Sequence, residues 1–301
     1  MVIYDLKTMA KAEICENTIV ALGAFDGCHY AHQSVLCEAF YEARRLGVKS
    51  VAYTFSTLPK NAKSIYTLEE KIKAISKIGI DYVAIDGFGD VRDLSPQSFF
   101  FEVLREKLSA VNASCGFNYK FGKDASGNCE LLKELFLKNT GRSVRVSPEL
   151  TIENRTVSST LLRTLLEKGQ IDELGKYGSK YSVYNMVLMG KQLGREMGFP
   201  TINQKIPEDK AVPKYGVYIT ECEIGEDVYP SITNVGVRPS VDDGDSVNME
   251  TYIIGYSGVL YGSYIRVNFY KYLRGEIRFD SLDELKAQIS LDTEKAKEYF
   301  K

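Results

Sequence analysis

Two hydrophobic periods alternate along the first half of the chain. "TIVALGAF" (Thr18–Phe25) is a nearly continuous apolar run, which predicts a strand buried on both faces. From His29 to Leu46, Val35, Leu36, Ala39, Phe40 and Ala43 recur at helical spacing and stop at Gly47. "VKSVAYTF" (Val48–Phe55) predicts a second strand, the stretch from about Thr67 to Lys77 a helix, and "DYVAID" (Asp81–Asp86) a third strand. "SPQSFFFEVLREKLS" opens with Ser95 as N-cap and Pro96 at the first helical position. Such strand–helix alternation predicts a parallel sheet with helices on both faces, which binds ligands at the carboxyl ends of its strands.

The pattern changes near "GKYGSKY" (Gly175–Tyr181). From Tyr184 onward short β-rich segments follow one another: "YNMVLMG", "YGVYITECEI", "VYPSITNVGV", "METYIIGY" and "YIRVNFYKYL". The next helical pattern is "SLDELKAQISLDTEKAKEYF", with Ser281 and Glu284 in capping-box spacing. Consecutive antiparallel strands closed by one helix predict a small β-barrel of roughly 120 residues. The reading is therefore α/β, with a Rossmann-like parallel-sheet domain over residues 1–180 and an antiparallel barrel with a C-terminal helix over 181–301.

Composition changes this picture little. The 301 residues are 44% hydrophobic and 26% charged, as in ordinary globular proteins, with a formal net charge of −2. That balance gives no basic field for nucleic acid or an anionic membrane. Six cysteines without a Cys-x-x-Cys pair read as reduced thiols of a cytoplasmic protein. The sequence contains no apolar run of transmembrane length.

The distribution of histidine is more informative. The chain has two, His29 and His32, in "GAFDGCHYAHQ" just beyond a predicted strand. Three readings compete. A metal site would need further ligands, and none lies nearby at suitable spacing. In the second reading, one or both are polar residues at a helix cap. A phosphate site would use the bend, the helix N-terminus and both imidazoles as donors to developing charge.

The bend resembles the signature of nucleotidylyltransferases that use a His-x-Gly-His motif: Gly23-x-Phe25-Asp26-Gly27-x-His29-x-x-His32. Downstream, "VSSTLLR" (Val157–Arg163) resembles the partner motif at a second helix start, which implies phosphate contacts from Ser158, Ser159, Thr160 and Arg163. "GFNYKFGKDASG" (Gly116–Gly127) resembles the family's intervening loop, with Asn118 facing the nucleotide. In the second half, "GKQLGREMGFPTIN" (Gly190–Asn203) resembles the riboflavin kinase motif. Gly190, Gly194 and Arg195 would form its phosphate flap, and Thr201 and Asn203 would hold Mg²⁺ with ATP phosphates. "NVGVRPS" (Asn234–Ser240) and "METYIIGYSGVLYG" (Met249–Gly262) follow in family order, with Glu250 at the general-base position.

Some positions depart from the family pattern. Ala31 stands for the glycine of His-x-Gly-His, and Thr54-Phe55 is followed by "STLPK" where Pro-His-Pro is usual. Ser240 stands for threonine, and Tyr252 and Gly255-Tyr256 replace His and Asp-Phe. The resemblance covers nearly the whole chain, in the domain order of bifunctional prokaryotic riboflavin kinase/FAD synthetases. It implies an FMN adenylyltransferase domain over 1–180 and a riboflavin kinase domain over 181–301. Together they would turn riboflavin into FMN and FMN into FAD with two ATP, with His29, His32 and Glu250 catalytic, Gly23, Phe25 and Asp26 at the nucleotide, and neither nucleic acid nor membrane as partner. The alternatives are a kinase whose N-terminal half has lost the second activity and a flavin- or nucleotide-sensing regulator.

Overall fold

The computed structural model describes residues 1–8, 14, 16–58, 62–190, 194, 198–237 and 247–301. The chain separates into two compact units: residues 1–161 with 177–179, and residues 162–176 with 180–301. No described helix is long and apolar enough to cross a membrane.

The first unit is built on a six-stranded parallel sheet in the order β1 (Val2–Asp5), β4 (Tyr82–Asp86), β3 (Lys49–Phe55), β2 (Thr18–Leu22), β5 (Ala110–Gly116), β8 (Arg145–Ser147). The apolar run of β2 is buried along its whole length, and its residues alternate between two cores. Ile19 and Ala21 pack with Leu36 and Ala39 of helix α1 (Tyr30–Leu46), while Val20 and Leu22 pack with Phe100 and Leu104 on the other side. Gly47 ends α1 in the left-handed conformation, at φ 66°. The capping box Thr67–Glu70 starts α2 (Leu68–Ser76).

After the short α3 (Phe88–Val91), Ser95 caps α4 (Pro96–Ser98) as its sequence predicts. The helix then continues over Phe99–Lys107 in a wider winding, in which the Leu108 N–H reaches back five residues to the Val103 carbonyl. A small ladder of β6 (Lys120–Phe121) and β7 (Gly127–Asn128) leads to α5 (Cys129–Thr140). The hairpin β9 (Thr151–Ile152) and β10 (Arg155–Thr156) precedes α6 (Ser159–Lys168). The edge strand β1 escapes the sequence reading because its four residues are mostly exposed and carry no buried run. The sheet reverses direction of growth at β2, with β3 on one side and β5 on the other, and that is where a doubly wound sheet opens a crevice.

The second unit is an antiparallel barrel of β11 (Tyr181–Met186), β12 (Thr201–Lys205), β13 (Gly216–Ile224), β14 (Asp227–Val237), β15 (Val247–Ile253) and β16 (Tyr264–Arg274). Its spatial order is β11-β16-β13-β14-β15-β12. The two ends of that order meet through a bridge between Leu188 and Asn203 and through side-chain hydrogen bonds from Gln204 to the Asn185 carbonyl (2.7 Å) and from Asn185 to the Lys205 carbonyl (2.8 Å). The barrel interior carries a hydroxyl chain that links Thr220, Ser231, Thr233 and Thr251 at 2.7–2.9 Å, so each buried hydroxyl is satisfied by another.

Helix α7 (Leu282–Tyr299) begins at Ser281, whose Oγ accepts the Glu284 N–H. The Glu284 carboxylate, in turn, accepts the N–H of Asp280 and not that of the cap. This helix packs Ala296 and Ile289 against Val217, Ile219 and Ile232 on the outer face of the barrel. Arg274 at the end of β16 pairs with buried Asp292 of α7 at 2.7 Å, and Gln288 donates to the other carboxylate oxygen. Removing one partner of a buried pair strands the other charge, at a cost of about 3–5 kcal/mol. The Asp292→Ala variant should therefore lower the urea midpoint of the second unit's unfolding by a matching amount. An unchanged midpoint would mean that α7 is held by its apolar contacts alone.

Candidate functional sites

The first unit contains a cavity of about 790 Å³ at the carboxyl ends of β2 and β5. Phe25, the first residue of the bend Phe25–Cys28, lines it. Phe25, Gly27 and Cys28 all have positive φ (49°, 73° and 39°), and two of these carry side chains, a conformation that costs on the order of 1–2 kcal/mol per residue. The surrounding structure holds the bend there. Thr54, Ser159, Ser179 and Gln33 donate from their side chains to the carbonyls of Ala24, Asp26, Gly27 and Cys28 at 2.7–2.9 Å. The Cys28 N–H closes the turn onto the Phe25 carbonyl at 3.2 Å. Gly23 lies against the Phe25 ring so closely that a Cβ would sit 2.8 Å from it.

The two histidines take different tasks in this frame. His29 is the N-cap of α1, and its Nδ1 accepts the His32 N–H at 3.3 Å. The cap reading is thus realised, and it fixes the tautomer: the ring proton sits on Nε2, which lies 3.5 Å from the Ser159 hydroxyl. Burial lowers the His29 pKa to about 4, so this donor is neutral at physiological pH. His32 stacks on His29 with ring centroids 3.7 Å apart, and Phe25 meets its ring edge-on. Burial and its neighbours His29 and Lys71 push the His32 pKa well down, and its Nδ1 is buried without a hydrogen-bond partner. Among the described residues, no group of three or more His, Cys, Asp or Glu side chains could hold a metal, so the metal reading of the pair finds no ligand set.

Gly23, Phe25, His29, Ala31, His32, Asn118 and Ser158–Thr160 all line this cavity. Ser158 caps α6 by accepting the Leu161 N–H at 3.2 Å, so a second helix start opens onto the same space. Cys129 Sγ lies 3.3–3.4 Å from the carbonyls of Gly116 and Phe117, at the base of the loop that presents Asn118. Asp26 sits elsewhere. Its carboxylate is buried and accepts the N–H groups of Ile65 and Tyr66 at 2.8 and 3.1 Å, so it pins the bend from behind and does not line the cavity. Lys71, buried behind the bend, donates to the Phe55 carbonyl at 2.9 Å. Burial lowers its pKa to about 8, against the opposing influence of Asp26. No sequence signal marks Lys71, since a lysine in the middle of a helix pattern reads as solvated. Arg163 follows in α6, is counted with the second unit and does not line the cavity.

The second unit has its own cavity of about 390 Å³, on the outer face of the barrel. Strand pleating decides which side chains reach it. Thr201 and Asn203 of β12, Glu250 and Tyr252 of β15, and Ile232 and Asn234 of β14 line it, while Gln204, Met249, Thr251 and Thr233 between them are buried. Register aligns three of these side chains in one row, with Asn203 opposite Glu250 and Glu250 opposite Asn234. Gly190 lies so close to Asn203 that a Cβ would stand 2.4 Å from the amide nitrogen. Gly194 lines the cavity. Arg195, and residues 238–240 of "NVGVRPS" with Ser240, lie outside the described residues. Asn234 was not read as a site residue, because only the register places it beside Glu250.

Comparisons with known proteins agree across the chain. Residues 11–161 match the family described as FAD synthetase, and residues 177–300 match the family described as Riboflavin kinase. A bifunctional riboflavin kinase/FMN adenylyltransferase of Escherichia coli K12 is 31% identical over 95% of this chain and 93% of its own length. The enzyme of the same name from Listeria monocytogenes is 28% identical over 94% of this chain and 93% of its own. A crystal structure of a protein from Streptococcus pneumoniae titled as macrolide-efflux protein superposes with a TM-score of 0.87, 27% identity and 99% coverage of both chains. That name belongs to the pneumococcal protein; the likeness adds a shared fold.

The imidazoles also couple the first unit's stability to pH. Between about 4 and 6.5 the unfolded chain protonates its histidines while folded His29 stays neutral, so stability should fall as pH drops through that window. His29→Asn retains a capping oxygen and should flatten this part of the curve, measured by urea unfolding from pH 4 to 7. Superimposable pH dependences of variant and parent would show that the folded imidazole titrates as in the unfolded chain.

Proposed function

The chain belongs to the bifunctional riboflavin kinase/FMN adenylyltransferase family, and from that premise we propose how its residues divide two reactions between two cavities. It phosphorylates riboflavin to FMN and adenylylates FMN to FAD. One observation carries this division: the row Asn203–Glu250–Asn234 faces one cavity while the His pair faces another.

In the barrel unit, Glu250 is the general base that takes the proton from the terminal ribityl hydroxyl as it attacks the γ-phosphate of ATP. The Thr201 hydroxyl and Asn203 amide, neutral hard-oxygen donors on one strand face, fit Mg²⁺, which completes its shell with water and phosphate oxygens. The ion supplies charge neutralisation on the transferred phosphoryl group. Gly190 leaves room for Asn203 beside it, and Gly194 with Arg195 belongs to the phosphate flap.

In the parallel-sheet unit, the FMN phosphate attacks the α-phosphate of ATP and pyrophosphate leaves. His29 donates from Nε2 to charge that grows on the transferred phosphorus, and its neutrality keeps that donor constant across physiological pH. The starts of α1 and α6 contribute backbone N–H groups and dipoles, with Ser158, Ser159 and Thr160 toward the leaving phosphates. His32 stacks on His29 and holds its ring in place. Asn118 serves the nucleotide from the opposite wall. The five free thiols among the described residues fit a reducing compartment, the cytoplasm.

Two measurements test this division. Glu250→Gln should lower kcat for FMN formation by roughly 10²–10⁴ and spare FAD formation from supplied FMN. Near-parental FMN production would remove Glu250 from the chemistry. The pair His29→Asn and His32→Asn should still convert riboflavin to FMN, while FAD formation falls mainly in kcat. Because asparagine preserves the cap, a variant that folds and makes FAD at the parental rate would reduce the imidazoles to a structural role.

A further inference from the structure

The amide of Asn234 is the feature of the barrel cavity that these roles leave unused. Its side chain lines the cavity, yet its Oδ1 is buried with no hydrogen-bond partner. A buried acceptor left unmade carries a desolvation cost that a ligand donor relieves. Position indicates which donor. Asn203, Glu250 and Asn234 are register neighbours on adjacent strands, each about 4.8 Å from the next.

Thr201 and Asn203, which would hold the metal with the phosphates, stand at one end of this row, and Glu250, the base for the attacking hydroxyl, stands in the middle. The acceptor molecule therefore continues away from the phosphate, over Asn234. In a polyol, the group that lies one carbon from the attacking hydroxyl is another hydroxyl, within reach of a residue one strand over.

We propose that Asn234 is a specificity-determining contact for the acceptor polyol. Its amide oxygen accepts a hydrogen bond from the hydroxyl vicinal to the one that Glu250 deprotonates, the 4′-hydroxyl of the ribityl chain. The bond forms after rotation about χ2, a soft torsion for asparagine. It orients the terminal carbon and discriminates against chains that lack a vicinal hydroxyl. This inference rests on the roles assigned to Glu250 and Asn203.

The test is a cycle between protein and substrate. FMN formation is measured for the parent, Asn234→Ala and Asn234→Asp with riboflavin and with 4′-deoxyriboflavin, and cooperative urea unfolding of the barrel unit in each variant serves as the folding control. Asn234→Ala should lower kcat/KM for riboflavin by about 10- to 100-fold and for 4′-deoxyriboflavin by less than about 2-fold. Asn234→Asp, which keeps an acceptor at the same place, should restore part of the discrimination between the two flavins. Equal losses on both flavins, or a loss that appears as a raised Mg²⁺ requirement for both, would overturn the contact. Glu250→Gln in the same assay reads the base separately, so an additive cycle with an inactive Glu250→Gln rejects this inference and leaves the assigned base standing.

Discussion

The first unit depends on holding a four-residue bend where its own side chains do not want to be. Phe25 and Cys28 lie in the left-handed region that favours glycine, and this places His29 at the start of α1 in the mouth of the sheet's crevice. The cost is met from outside the bend: the carbonyls of residues 24–28 all find partners, four of them side chains from elsewhere in the fold, and the Asp26 carboxylate ties down Ile65 and Tyr66. Strain and geometry are linked here, since Ser159 both donates to the Asp26 carbonyl of the bend and lies 3.5 Å from His29 Nε2. The same network explains why His29 can meet two partners at once, with Nδ1 accepting from the helix and Nε2 turned to the Ser159 hydroxyl.

The barrel solves a related problem by pleating. Its interior is filled by a core that includes Tyr218, Val235, Met249 and Val267 and by the hydroxyl chain, so the side chains that line the cavity occupy the other face of the same strands. Alternation sends Thr201, Asn203 and Glu250 outward while their sequence neighbours complete the core, and α7 then covers part of that outer face. A slip of one residue in β15 would bury Glu250 and expose Met249 and Thr251, so the register of the sheet and the integrity of the site are a single constraint.

Much of this was legible in the sequence. The uninterrupted apolar run of β2, the helical stripe of α1, the stop at Gly47 and the β-rich second half each carry their period openly, and they give both architectures. The pairing of a His motif with a distant Ser-Ser-Thr helix start was visible too, and the fold brings Ser159 to His29. What stayed hidden depends on three dimensions. The family resemblance puts Asp26 at the nucleotide, whereas its carboxylate's partners in the fold are backbone groups some 40 residues away that no local pattern reveals. Lys71 and Asn234 were invisible because burial of a helical lysine and alignment of an asparagine beside Glu250 come from packing and register. The short β1 had no period to show.

The stretch Tyr177–Ser179 lies past α6 in the chain yet is counted with the first unit, where Ser179 donates to the Gly27 carbonyl and the Gly178 carbonyl accepts from Gln33. Gly178 also seats against Tyr30 of α1, where a Cβ would stand 2.5 Å from the ring. The boundary of the nucleotide-transfer unit in space is therefore discontinuous along the chain. Anyone dissecting the two activities by truncation meets this directly: a fragment that stops at Leu161 contains the residues that line the first unit's cavity, yet it lacks the clasp that keeps the His29 bend bent.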